Sequence, residues 1–325
     1  MGSDTPDIVV LRSTAHGISS EACADALQSR LPKYDIELAS TPREERELIE
    51  HAPIATGIDI DTDLLSSASS LELFACASAG VGHLPLEALA KNGVTVTNAS
   101  GIHAPNIAEH VLGNLLVFAR RLHEGWRRQR NNEWRRFPAR ELNGSTVTVV
   151  GMGAIGERTL ELLEPFDIER IGIRNSPEKG GPADEIYGYD SDIHAAFART
   201  DYLVLACPLT DTTEGLIDEE IFKTLPPEAV VVNVARGPVI DTDALLAAVQ
   251  KNAIRGAALD VTDPEPLPQD HPLWNFENVL ITPHYSGHTE EYWERHADIV
   301  ARNVERIEAE GYDAELENQV TTPEE

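Results

Sequence analysis

Lysine is nearly missing from this 325-residue chain. It occurs only at positions 33, 91, 179, 223 and 251, within a total of 26 Lys and Arg. Against these stand 55 Asp and Glu, which leaves a net charge of −29. A field of that sign repels nucleic-acid backbones and anionic membranes, so neither is expected as a partner. Salt screens the self-repulsion, with a Debye length of about 3 Å at 1 M, and an acidic, lysine-poor surface stays soluble there. The composition therefore predicts a halophilic protein. Cysteine is also scarce. Cys23, Cys76 and Cys207 are odd in number and lack CxxC or Cys/His spacing. That argues against a disulfide framework or a zinc site and for small buried residues in a reducing compartment. No apolar run approaches 18 residues, so no membrane-spanning helix is expected. The acidic start MGSDTPDIVVLR has too short an apolar run for a signal peptide. A soluble, cytoplasmic protein is expected. Basic residues concentrate in one place, RRLHEGWRRQRNNEWRRF at 120–137. A single cluster set against −29 favours a helical arm paired with acidic surface, of the same or another subunit, over a phosphate-backbone site.

What is present is an alternation. Apolar residues make up 42% of the chain, enough to fill two sizeable cores. Short β-branched runs, DIVVLR (7–12), YDIELA (34–39), IATGI (54–58), LELFAC (71–76) and VTVTN (94–98), are interleaved with helical patterns such as EACADALQSRL (21–31). A long helical pattern follows at 104–130. A second series then begins: TVTVVG (146–151), IGI (171–173), YLVLAC (202–207), AVVVNV (229–234), AALDV (257–261) and NVLIT (278–282). Parallel strands joined by helices are the economical reading. Two doubly wound α/β domains are expected. The first takes residues 1–99 plus 284–325, closed by an amphipathic helix at 289–311, with the tail ELENQVTTPEE frayed. The second, at 100–283, is inserted into it.

The stretch TVTVVGMGAIGERTLELL (146–163) runs a buried strand into Gly151, Met152, Gly153, Ala154, Ile155 and Gly156, and a helix follows at once. Gly151 permits the turn, Gly153 lets backbone approach a pyrophosphate, and Gly156 lets helix pack on strand. The helix N-terminus offers free N–H groups and partial positive charge. A dinucleotide site is expected here. The next strand ends in IGIRNS (171–176). A site for NAD normally carries an acid there, to bind the ribose 2′-hydroxyl. Arg174, Asn175 and Ser176 supply a guanidinium, an amide and a hydroxyl instead, a set suited to a 2′-phosphate. NADP(H) is therefore the expected cofactor, with NAD(H) left open.

Three later strand ends carry reactive types. Arg236 follows 229–234, Asp260 ends 257–261 with Glu265 in the proline-bounded loop beyond it, and His284 follows 278–282. In a doubly wound sheet these ends share one edge. An arginine there can bind a substrate carboxylate and polarise a neighbouring keto oxygen. A histidine can move the proton, and a carboxylate can hold its tautomer. Each residue alone is weak: Arg236 before Gly-Pro also fits a structural turn, and His271 and His288 compete with His284.

Together, GMGAIG, NVARG, DPEP and TPHYSGHT, in this order and spacing, resemble the D-isomer-specific 2-hydroxyacid dehydrogenases. So do SAGVGHLPLEAL (78–89), NASGIHAPNIAEHVLGNLL (98–116) and NNEWRRFPARELNGSTVTVVG (131–151). The resemblance implies a nucleotide domain of Rossmann type inserted in a flavodoxin-like substrate domain, acting on small 2-keto and 2-hydroxy acids. Arg236 resembles the substrate-binding arginine, His284 the proton donor and Glu265 its acid partner. Ser78, Ala79, Gly80 and Val81 match the loop whose amides hold the substrate carboxylate. Cys207, Pro208 and Thr212 match the loop near the adenine ribose. Asp260 matches the residue that orients the nicotinamide amide, and Val234 and Ala235 fall with the cofactor-binding residues. The family's pairing through the helical arm implies a homodimer. The departure from the commonest pattern is Arg174 in place of an acid. Three other readings compete. A non-enzymatic, nucleotide-sensing corepressor would carry disordered extensions, of which this chain has only a short acidic tail. Glu265 stands where formate dehydrogenases of the family carry an amide. L-specific lactate and malate dehydrogenases place their glycine loop near the N-terminus rather than at 151.

The charge balance makes a direct prediction. The melting temperature should rise as KCl goes from dilute to molar, followed by circular dichroism. A curve insensitive to salt would contradict the halophilic reading.

Overall fold

The computed structural model describes residues 5–320. Residues 321–325, the far end of the tail expected to fray, lie outside them. The chain divides into two compact units, one reaching to His103 and resuming at His288, the other Ala104–Gly287. The crossings thus fall at 103/104 and 287/288 rather than at 99/100 and 283/284.

The first unit is built on five parallel strands: β1 (Ile8–Val10), β2 (Ile36–Leu38), β3 (Ile54–Gly57), β4 (Leu73–Cys76) and β5 (Thr95–Thr97). Their spatial order is β2-β1-β3-β4-β5, the flavodoxin-like doubly wound order. The central strands β3 and β4 are buried at every position, as apolar runs covered on both faces must be. Helix α1 (Glu21–Arg30) packs on the long C-terminal helix. The tail is not frayed throughout: Leu316 is buried, Val320 N–H donates to Val96 O at 2.8 Å, and Asn318 Nδ2 donates to Ser100 O at 2.9 Å. Its polar composition hid these backbone pairings.

The second unit has seven parallel strands: β6 (Thr146–Val150), β7 (Glu169–Ile173), β8 (Glu185–Tyr187), β9 (Tyr202–Leu205), β10 (Val230–Asn233), β11 (Gly256–Leu259) and β12 (Val279–Ile281). Their order is β8-β7-β6-β9-β10-β11-β12. This is the Rossmann arrangement, with the strand order reversing beside β6, where such sheets bind ligands. The edge strand β8 escaped the sequence reading because its three residues, EIY, give too short a pattern. The long helical pattern is two helices, α2 (Ala104–Arg120) and α3 (Leu122–Arg130). Arg121 stands between them in the left-handed region at φ 53°, which breaks the ladder where periodicity ran straight on. Ile107, Val111, Leu115 and Phe118 are buried at helical spacing, and α2 packs along α4 (Ala154–Leu162). Within the basic stretch, Glu124 takes Arg127 at 2.7 Å and Arg128 at 2.5 Å. The expected acid pairing is thus partly met inside the arm. Among the described residues no helix is long and apolar enough to cross a membrane.

The closing helix α5 (Tyr292–Glu310) plugs the first unit with Trp293 and His296, which are 2% and 1% exposed. The Thr56 hydroxyl donates to Ala75 O at 2.8 Å, so it accepts from His296 Nε2 at 2.7 Å. That fixes the proton on Nε2 and leaves the buried Nδ1 without a partner among the described residues. Burial holds the imidazole down at about 4. The folded value lies below the unfolded one, so this stability is complete above pH 6.5 and drains as pH falls towards 4. We expect the unfolding free energy of the native protein to fall relative to that of His296→Gln across this window, by on the order of a few kcal/mol. Parallel pH profiles from denaturant unfolding would contradict it.

Candidate active site

The carboxyl edge of the second sheet gathers the residues singled out above. Gly151 leaves β6 at φ 94°, a left-handed conformation that side chains resist, and a Cβ there would overlap the backbone of Cys207. A Cβ at Gly156 would overlap the Gly151 carbonyl, so helix and strand meet only because it is absent. Gly153 stands at the N-cap of α4, with Ala154 and Ile155 opening the first turn. Free N–H groups of that turn face the loop.

Gly151, Met152, Gly153, Arg174, Asn175, Ser176, Pro208 and Thr212 line one cavity of about 520 Å³. Arg174 follows β7. Its Nη1 donates to Gly180 O at 2.7 Å and to Glu157 Oε1 at 3.0 Å. Among the described residues its other guanidinium hydrogens have no acceptor, so a fork remains for a ligand. The sequence reading missed Lys179, Tyr189, Thr210 and Thr213 in the same lining. Lys179 could have been found: it is one of five lysines and lies just past Arg174. Thr213 is buried and shapes the loop, accepting from Thr210 N–H at 2.8 Å and donating to Pro208 O at 2.6 Å. Cys207 is not in the lining. It is buried beneath, and that burial first of all raises its thiol to about 11. Val234 and Ala235 are likewise buried, where β10 leaves the sheet. The glycine turn, the helix N-terminus, two cations and a cavity of this size fit a dinucleotide.

Past β10, the buried Asn233 side chain accepts from Ala235 N–H at 3.0 Å and donates to Arg236 O at 3.1 Å. This turn, unforeseen in the sequence, presents Arg236 to solvent with Nη1 on Ala235 O at 2.6 Å. Past β12, His284 holds φ 51°, a conformation that costs a non-glycine residue of order 1 kcal/mol or more and recurs at functional sites. Its Nδ1 lies 2.6 Å from Glu265 Oε1, from the loop after β11, and both side chains are solvent-accessible. The two competing histidines hold other contacts. His271 instead caps a short turn through Leu273 N–H, and His288 stacks on His16 with ring centroids 4.4 Å apart in the first unit.

Asp260 is 3% exposed. Its carboxylate accepts from the Thr282 hydroxyl, Tyr285 N–H at 2.9 Å and Ser286 N–H at 3.0 Å, while its own carbonyl takes His284 N–H at 2.8 Å. Burial pushes this carboxyl up, but bonds from Ser286, Thr282 and Tyr285 outweigh it and hold the group below its ordinary value. The side chain expected at the nicotinamide amide thus binds the loop that carries His284. In the first unit, the 78–81 stretch forms a turn after β4 with Ala79 and Gly80 exposed. Its carbonyls are tied back, Ser78 O to Ala99 N–H at 3.1 Å and Ala79 O to Asn98 Nδ2 at 2.9 Å.

Fold and site together define an oxidoreductase of the dinucleotide-dependent kind. Residues 112–286 match the D-isomer specific 2-hydroxyacid dehydrogenase, NAD binding domain. A protein of Corynebacterium melassecola, described as uncharacterized, is 40% identical over 69% of this chain and 76% of its own. Glyoxylate reductase of Thermofilum pendens is 34% identical over 75% of this chain and 74% of its own. The crystal structure of a D-isomer specific 2-hydroxyacid dehydrogenase from Xanthobacter autotrophicus Py2, in complex with NADPH and MES, superposes with a TM-score of 0.76. It is 27% identical and covers 98% of both chains. The chain belongs to the D-isomer specific 2-hydroxyacid dehydrogenase family.

Asp260→Asn should test the tie to the His284 loop. An amide turns a donor towards N–H groups that need an acceptor, which costs about 1–3 kcal/mol per buried group. We expect a stability loss of about 2 kcal/mol or more by denaturant unfolding. A loss below about 0.5 kcal/mol would mean that the loop holds without the carboxylate.

Proposed function

We propose that the protein reduces small 2-keto acids to D-2-hydroxy acids with NADPH, with Arg236, Glu265 and His284 carrying the chemistry. The observation that carries this reading is the His284–Glu265 pair at 2.6 Å, on the same carboxyl edge of the sheet as a cavity fit for a dinucleotide. Bound at the glycine loop, a reduced nicotinamide supplies a hydride to the keto carbon. Gly151–Gly156 would hold its pyrophosphate, and Arg174 with Asn175, Ser176 and Lys179 would face the 2′-phosphate. Pro208 and Thr212 would line the adenine-ribose side, with Cys207, Val234 and Ala235 packing behind.

Arg236 takes the substrate carboxylate and draws charge from the neighbouring keto oxygen. Glu265 engages His284 at Nδ1, which leaves Nε2 to reach that oxygen. As hydride adds to the carbon, Nε2 gives its proton to the oxygen, and in reverse the same nitrogen takes it back. Asp260 keeps His284 in place through the loop amides. The 78–81 turn keeps the substrate-carboxylate role that the resemblance implies.

Glyoxylate and hydroxypyruvate head the candidate substrates, because the relatives' names point to them. The NADPH complex of a related structure supports the cofactor reading. We further infer a homodimer through the arm, where Trp126 is 51% exposed and Trp134 fully so, far from the usual setting of large aromatics. A cytoplasmic location is supported by three free, buried cysteines. The competing reading, a nucleotide-sensing scaffold without turnover, would leave the pair of His284 and Glu265 without work.

Two substitutions test this. His284→Ala should lower kcat about 10²- to 10⁴-fold while the Kd for NADPH holds. An unchanged kcat would remove His284 from the chemistry. Arg174→Asp should weaken NADPH by about 100-fold or more with little change for NADH, since a carboxylate would then face the phosphate. An unchanged ratio of the two affinities would refute the cofactor assignment.

A further inference from the structure

Methionine occurs twice in this chain, at Met1 and at Met152. The one internal methionine lies inside the glycine loop and is only 3% exposed. An unbranched, polarisable thioether fills irregular gaps well, and the gap here is bounded by two missing side chains. A Cβ at Gly172, in β7, would stand 2.1 Å from the Met152 sulfur, and a Cβ at Gly181 would stand 2.5 Å from its terminal methyl. Both lie far inside van der Waals contact, so the thioether sits where it does only because both positions are glycine. Met152 is thereby clamped between the strand that leads into Arg174 and the turn that comes back to it. That turn runs through a short helical segment, Pro177–Lys179, into Gly180 and Gly181 at φ 65° and 144°. Met152 belongs to a core cluster against which Ile155 of α4, Ala183 and Ile186 of β8 also pack.

The seat matters because of what Gly180 does. Arg174 Nη1 has two acceptors, Gly180 O at 2.7 Å and Glu157 Oε1 at 3.0 Å. The carbonyl is neutral and leaves the guanidinium charge on offer. The carboxylate competes with an incoming phosphate for the same cation. A turn seated on Met152 holds the guanidinium through the neutral acceptor. With the seat empty the turn is free to withdraw, and Glu157 then draws the charge towards α4.

We propose that Met152 is a positioning residue for cofactor selection: its thioether, seated against Gly172 and Gly181, fixes the Gly180 carbonyl and so aims Arg174 at the 2′-phosphate of NADPH. The inference rests on the NADPH reading above and deepens it. Selection is built partly inside the glycine loop, not at the strand end alone.

Isothermal titration of the full-length protein with 2′,5′-ADP and with 5′-AMP isolates the 2′-phosphate and needs no turnover. The native protein should bind 2′,5′-ADP the more tightly. Met152→Ala should weaken 2′,5′-ADP about 10-fold or more, the scale of one charge-assisted hydrogen bond, with 5′-AMP little changed. Met152→Leu, of similar volume, should keep both ligands within about threefold of native. Gly181→Ala reaches the same seat from the turn, since its Cβ displaces the thioether methyl, and should repeat the loss. It decides the matter if Met152→Ala does not fold. Equal weakening of both ligands in the two alanine variants would make Met152 a support of the whole glycine loop and overturn the proposal. An unchanged preference in both variants would overturn it too, while leaving the NADPH reading intact. A native protein that binds 2′,5′-ADP no more tightly than 5′-AMP would overturn that reading and the proposal with it.

Discussion

One buried carboxylate holds the reactive end of the second unit together. Asp260 gathers two backbone amides and a hydroxyl from the loop after β12, and its carbonyl takes a fourth donor from His284. Acceptors ionised and surrounded by donors are among the stronger hydrogen-bonding groups in proteins. Here they offset the left-handed backbone of His284. The side chain that meets Glu265 is therefore set by a residue that does not touch it. Without that tie, the imidazole would ride on a loop that belongs to no helix or strand.

The parallel sheet gives this arrangement its polarity. Every strand of the second unit runs the same way, so its carboxyl edge collects the glycine loop, Arg174, Arg236, the Glu265 loop and His284. The amino edge collects Arg255, Glu228 and the turn around Arg121. The proposed dinucleotide and proton chemistry thus sits at one end of the strand axis.

Much of this was legible in the sequence. Short runs with apolar residues marked all five strands of the first sheet and six of the seven in the second, and the central ones, covered on both faces, read as continuous apolar runs. Spacing also located the glycine loop and the Arg174 strand end, because backbone geometry there admits few residue types. The rest depended on three-dimensional pairing. Nothing local to Asp260 says that its partners lie some 25 residues on, at Tyr285 and Ser286. Nothing in the 104–130 periodicity marks Arg121 as a left-handed break, since arginine is an ordinary helix residue. Asn233 and Thr213 act through turns formed by their own backbones, and Arg174's bond to Glu157 needs a helix packed beside a strand. The tail looked polar and loose because its ordering comes from backbone bonds to residues over two hundred positions earlier.

The account's central claim is hydride transfer to a 2-keto acid with NADPH preferred. Steady-state oxidation of NADPH and NADH by a panel of 2-keto acids, glyoxylate and hydroxypyruvate among them, in molar KCl with chiral analysis of the product, tests it most directly. The account predicts saturable turnover of at least one acid, a D-configured product wherever the new carbon is a stereocentre, and a higher kcat/KM with NADPH. Absence of turnover with either cofactor across the panel, in protein shown to be folded at that salt, would contradict it.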